Sequence, residues 1–90
     1  MELSRTFRIK NRLGFHARAA AAFVQTANKF SANVKVLKDG YEVNGKSILG
    51  VLSLAAAWGT DIEVITHGED AEEALNLLGE LIESGFGEGV

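Results

Sequence analysis

His16 and Arg18 stand one residue apart at the head of Ala19-Ala20-Ala21-Ala22, a run of the strongest helix former. Ala20, Phe23, Val24 and Ala27 recur at i, i+3, i+4 and i+7, which predicts a helix with one apolar face running to about Lys29. His16 then falls at its N-cap, with Ala17, Arg18 and Ala19 in the first turn. Backbone N–H groups of a first turn have no partner within the helix, and the helix dipole gathers partial positive charge there. That potential disfavours an imidazolium and so keeps the ring nucleophilic. Once the ring carries a phosphoryl group, the N–H groups of Ala17 and Arg18 can hold its anionic oxygens. The Arg18 guanidinium adds a fork of donors matched to phosphate. The chemistry this cluster suits is a phosphohistidine; the plainer alternative is a polar cap at His16 beside a solvated Arg18.

Ser47 is the second residue of interest. It precedes Ile48-Leu49-Gly50-Val51-Leu52, where a hydroxyl is a natural N-cap, and Gly50 predicts that the helix is short. The other polar candidates have plainer readings. His67 beside Gly68 reads as a turn residue, and two distant histidines without cysteine give no metal-ligand spacing. No metal or other cofactor is expected. Trp58 reads as an aromatic at the rim of the core. Asp70, Glu72, Glu73, Glu80 and Glu83 read as the solvated face of a helix.

The elements that must position these residues follow from periodicity. Leu3–Ile9 alternates as a strand with Phe7 and Ile9 on one face. Asn11–Gly14 forms the loop before the first helix. Ala32–Leu37 is a second strand with Val34 and Val36 inward, Asp39-Gly40 a hairpin turn, and Tyr41–Val43 a third strand. Thr60–Thr66 is the fourth, with Ile62 and Val64 inward. Asp70 can cap a last helix, with Glu73 at the capping-box position, and Ala71, Ala74, Leu75, Leu78, Leu81 and Ile82 form its apolar stripe. Gly85 stops it, and residues 86–90 are expected to fray. The order β-α-β-β-α-β-α suits an α+β, two-layer sandwich with helices on one face of an antiparallel sheet. Ferredoxin-like domains share that order, so it selects no function.

Ninety residues make one small domain, residues 1–90. The absence of cysteine is compatible with a reducing compartment, no apolar run is long enough to span a membrane, and the N-terminus is not a signal peptide; a soluble cytoplasmic protein is expected. Charge is divided along the chain. All nine Lys and Arg lie within residues 1–46, against three acids; nine acids and no Lys or Arg follow. Such a division predicts a basic surface that steers an acidic partner, or pairing between the two halves. Nucleic acid is disfavoured by the net charge of −3 and by dispersed cations, and the central strands lack the paired aromatics of an RNA-binding sheet.

Asn11-x-Leu13-Gly14-x-His16-Ala17-Arg18 resembles the active-site segment of the histidine-containing phosphocarrier protein (HPr) family of the bacterial sugar phosphotransferase system. Lys46–Leu54 with Trp58-Gly59 resembles that family's second signature, and together the two likenesses span nearly the whole chain. The resemblance implies an open-faced β-sandwich of four antiparallel strands and three helices. It implies a relay from phosphorylated enzyme I to the enzyme IIA component, through Nδ1 of His16, with Arg18 contacting the phosphate. Ser47 matches the family's regulatory serine, which a dedicated ATP-dependent kinase modifies in some bacteria. Ile48, Leu49 and Leu52 match the apolar docking patch, and Phe15 is expected to add dry contact area. The family usually has proline after the arginine, where this chain has Ala19, which restores a backbone N–H. A small carrier is expected to be a monomer, and a phosphorylated intermediate rather than a free-standing enzyme. The alternative is a nitrogen-related or regulatory paralogue that acts as a protein-binding module.

Overall fold

β-Branched and aromatic residues alternating with polar ones favour a pleated, half-buried surface, and four such segments form strands. In the computed structural model, which describes residues 1–88, the order is β1 (Glu2–Arg8), α1 (Ala17–Ala27), β2 (Asn33–Lys38), β3 (Tyr41–Asn44), α2 (Ile48–Ser53), β4 (Asp61–His67) and α3 (Ala71–Glu83), followed by a 3-10 turn at Gly85–Gly87. One antiparallel sheet results, in the order β1-β4-β2-β3. The expected α+β open-faced sandwich with three helices is the fold of this chain.

Register explains the layers. Phe7 faces Ile62, and Val36 faces both Val43 and Val64, so one sheet face presents a continuous apolar surface. Phe23, Val24, Leu75, Leu78 and Ile82 from the helices close over it. Ser4, Thr6, Arg8, Lys35 and Asp61 lie on the open face, exposed. Asp39 and Gly40 both take positive φ (52° and 81°), the backbone that lets a tight hairpin follow the strand twist. The helix α1 ends at Ala27, two residues before Lys29: the Asn28 N–H still bonds the Val24 carbonyl at 2.9 Å, but the next two, of Lys29 and Phe30, tighten onto the Thr26 and Ala27 carbonyls at 3.1 and 3.2 Å.

Three expectations are corrected. Asp70 occupies the N-cap of α3 but makes no side-chain cap bond. Its carboxylate accepts instead from the backbone N–H groups of Ser31 and Ala32, at 2.9 and 2.8 Å, fastening the start of α3 to the start of β2. Trp58 is 64% exposed rather than set in the core rim. The expected frayed tail is, over residues 86–88, folded back on the molecule; residues 89 and 90 lie outside the described part. Gly85 and Gly87 take positive φ (67° and 79°), turning the chain so that the Phe86 ring packs 5.2 Å from the Phe15 ring. Burial of that ring supplies what a polar tail would lack.

Candidate functional site

The loop before α1 fixes where the histidine stands. Gly14 has φ +64°, and a Cβ there would lie 2.3 Å from the Ala56 carbonyl oxygen, so no other residue fits without displacement. That carbonyl accepts the Phe15 N–H at 2.9 Å, tying the approach to α1 onto the segment after α2. Asn11, fully buried, donates from its side-chain amide to the Gly14 carbonyl at 2.7 Å. The chain therefore reaches His16 over a turn held from both sides.

His16 is the N-cap of α1, with extended backbone (φ −79°, ψ 177°), and its carbonyl accepts the Ala20 N–H at 2.8 Å. Its Nδ1 accepts from the Arg18 N–H at 3.3 Å, a long and weak bond. The backbone N–H groups of Ala17 and Ala19 have no hydrogen-bond partner among the described residues. The Arg18 side chain is exposed and makes no ion pair among the described residues. The imidazole is 28% exposed, at the surface rather than in the core. Nδ1 thus faces the first turn of α1, where it meets the Arg18 N–H.

The second ring nitrogen has a partner that sequence reasoning missed. Nε2 of His16 pairs with the Glu88 carboxylate, whose other oxygen accepts from the Asn11 amide at 3.1 Å. The hydrogen bond from His16 holds the Glu88 carboxyl below its ordinary range, against the opposing effect of burial; the Asn11 amide and the charges of His16 and Arg18 add to the lowering. Gly85-Phe86-Gly87, an aromatic between two glycines, is a local signal for a turn, but it carries no sign of which surface that turn meets.

Ser47 caps α2 as expected: its hydroxyl accepts the Gly50 N–H at 3.0 Å. Ile48 and Leu49 are exposed, Leu49 at 80%, and Leu52 is half-buried. Phe15 does not join them. It is buried, with its ring edge-on to Phe23 at 5.5 Å, because the Gly14 turn points it under α1. The expectation that it supplies docking surface is corrected: its work is in the core, while Leu13 beside it is the exposed apolar residue.

The class this arrangement defines is a small open-faced antiparallel sheet carrying three helices, with one imidazole at the surface capping the first of them. A family model described as "PTS HPr component phosphorylation site" matches residues 3–84. The phosphocarrier protein HPr of Neisseria meningitidis serogroup A is 51% identical over 87 residues, covering 97% of this chain and 98% of the relative. Among solved structures, HPr-C-His from Thermoanaerobacter tengcongensis superposes with a TM-score of 0.94 at 49% identity, covering 98% of this chain and 99% of that one. A structure described as an HPr dimer from the same organism gives 0.78 at 51% identity, covering 91% of this chain and 94% of that one. The chain belongs to the HPr phosphocarrier family. No helix among the described residues is long and apolar enough to cross a membrane.

Proposed function

We propose that this protein relays a phosphoryl group from phosphorylated enzyme I to an enzyme IIA component, carrying it on Nδ1 of His16. The observation that supports this most directly is the orientation of that nitrogen, toward the first turn of α1, where it meets the Arg18 N–H. The weak Arg18 N–H bond to Nδ1 is displaced at small cost, since an ordinary hydrogen bond contributes only about 1 kcal/mol net. The phosphoryl oxygens then take up the Ala17 and Arg18 N–H groups. Alignment and charge stabilisation are nearly all that phosphoryl transfer asks of a protein. Ala19, where the family usually has proline, offers one more N–H to the same group.

Ile48, Leu49 and Leu52 form the docking patch, and the cations around His16 steer acidic partners onto it. Ser47 is the site of regulatory phosphorylation by a kinase of the HPr kinase/phosphorylase type. A carrier of this kind works in the cytoplasm as a monomer, with no cofactor and no nucleic acid, and is itself the phosphorylated intermediate. Incubation with enzyme I and labelled phosphoenolpyruvate tests the relay. Acid-labile, base-stable label on the wild type, lost in His16→Ala and passed on to enzyme IIA, is the expected result. Absence of label with any enzyme I would overturn it in favour of a binding module.

A further inference from the structure

The Glu88 carboxylate is not explained by the relay as described above. It approaches His16 from the nitrogen that does not meet the helix, and it gets there only because the chain doubles back after α3. Ser84 ends the helix, Gly85, Phe86 and Gly87 all take positive φ, and the Phe86 ring seats on Phe15. A non-glycine residue with φ 57° is a conformation that costs energy, so Phe86 is held there by its packing. The other carboxylate oxygen meets the buried Asn11 amide, whose two N–H bonds are thereby both used, one on Glu88 and one on the Gly14 carbonyl. The tail is a latch with an apolar anchor and a polar tip, and the tip rests on the proposed acceptor ring.

Two contacts fix the proton on that ring, independently. An ionised carboxylate only accepts hydrogen bonds, so its contact with Nε2 requires a hydrogen there. The Arg18 backbone N–H only donates, so its contact with Nδ1 requires a lone pair there. Both select the same tautomer. We propose that Glu88 is a positioning residue for phosphoryl transfer at His16, fixing the proton on Nε2, leaving the Nδ1 lone pair free for phosphorus, and facing the positive charge that the ring gains when the N–P bond forms. The inference rests on the reading of His16 as phosphoryl acceptor.

The electron count is simple. The Nδ1 lone pair forms the bond to phosphorus while the donor's bond to phosphorus breaks, its pair leaving with the donor atom. The proton stays on Nε2, so the ring becomes an N-phosphoryl imidazolium beside the carboxylate. In the onward step the N–P pair returns to Nδ1 and the ring is neutral again, with no net proton movement. A carboxylate at Nε2 lowers the energy of the charged ring in both directions, as an orienting acid does for a catalytic histidine. Because it contacts Nε2, it leaves the approach to Nδ1 open.

The test uses phosphoramidate, a small donor that needs no enzyme I, with phosphorylation of His16 followed by ³¹P NMR and the imidazole Nε2–H followed by ¹⁵N-edited proton NMR. Glu88→Ala is expected to slow phosphorylation about tenfold, the scale of one hydrogen bond to a charged group, and to lose the exchange-protected Nε2–H signal. Glu88→Gln keeps an acceptor without charge and falls between. Phe86 is untouched in both variants, so the core is unchanged. A rate in Glu88→Ala equal to or faster than wild type overturns the proposal, the faster case making the tail a cover. The relay stands or falls separately, on whether enzyme I labels the wild type.

Discussion

At the scale of single residues, the proposed relay divides the site into groups that would meet phosphorus and groups that would hold the ring, and it puts Arg18 in the first. Its side chain is exposed and makes no ion pair among the described residues, so removing it leaves no buried group uncompensated. Arg18→Ala is therefore expected to keep wild-type thermal stability while slowing transfer from enzyme I by roughly 10- to 100-fold, the span of a charge-assisted hydrogen bond; Arg18→Lys recovers part of that, lacking the planar fork. Stopped-flow transfer kinetics beside a melting curve separate the two effects. A parallel loss of stability would show that Arg18 serves the fold. The place of His16 and Arg18 at a helix start was legible from spacing, because a helix start is encoded within a few residues. Asn11 and Glu88 were not, since the contact between them joins positions 77 residues apart.

The elements carry the site by their ends. Ser47 caps α2, and its loss in Ser47→Ala is expected to cost about 0.5–2 kcal/mol. Ser47→Asp keeps an acceptor at the cap, so it should fold normally, yet its charge beside Ile48 and Leu49 is expected to slow phosphorylation of His16 by enzyme I. Unchanged kinetics in Ser47→Asp would sink the idea of a shared docking surface. After Leu54, the C-cap of α2, Ala55 takes φ 49°, a left-handed conformation that glycine adopts freely and alanine does not. Ala55→Gly is expected to stabilise the fold by roughly 1 kcal/mol, read as a raised denaturation midpoint at constant slope. This matters to the site because the next carbonyl, Ala56, holds Phe15 and hence the approach to His16. Helix and strand positions were readable because periods of 3.6 and 2 are written locally. The capping box at Asp70 was misread for the complementary reason: a carboxylate can cap its own helix or reach another segment, and only the neighbouring segment decides.

Over the whole molecule, part of the divided charge resolves into pairing between the two halves of the chain. Arg8 meets Asp61 at 3.1 Å and Lys10 meets Glu83 at 2.7 Å, exposed pairs each contributing no more than about 1 kcal/mol. Asp70 is the better-placed long-range acid. The Ser31 N–H is the largest influence lowering its carboxyl below the ordinary value; burial opposes it, and the Ala32 and Asp70 N–H groups and the Ser31 hydroxyl reinforce it. A group lowered in the folded state contributes its full stability above the unfolded value and loses it as pH falls through the folded one. Wild type should thus melt above Asp70→Asn at pH 7, with the gap closing below about pH 4; a gap independent of pH would rule out the charge as its cause. By itself the sequence determined the element order, the inward faces and both helix caps at His16 and Ser47, because each is set by interactions between near neighbours along the chain. Tertiary structure alone decided that Phe15 is core, that Asp70 ties α3 to β2, and that the tail returns to lay Glu88 on His16. Those outcomes depend on which distant surfaces meet once the sheet and helices have packed, and no local pattern carries that information.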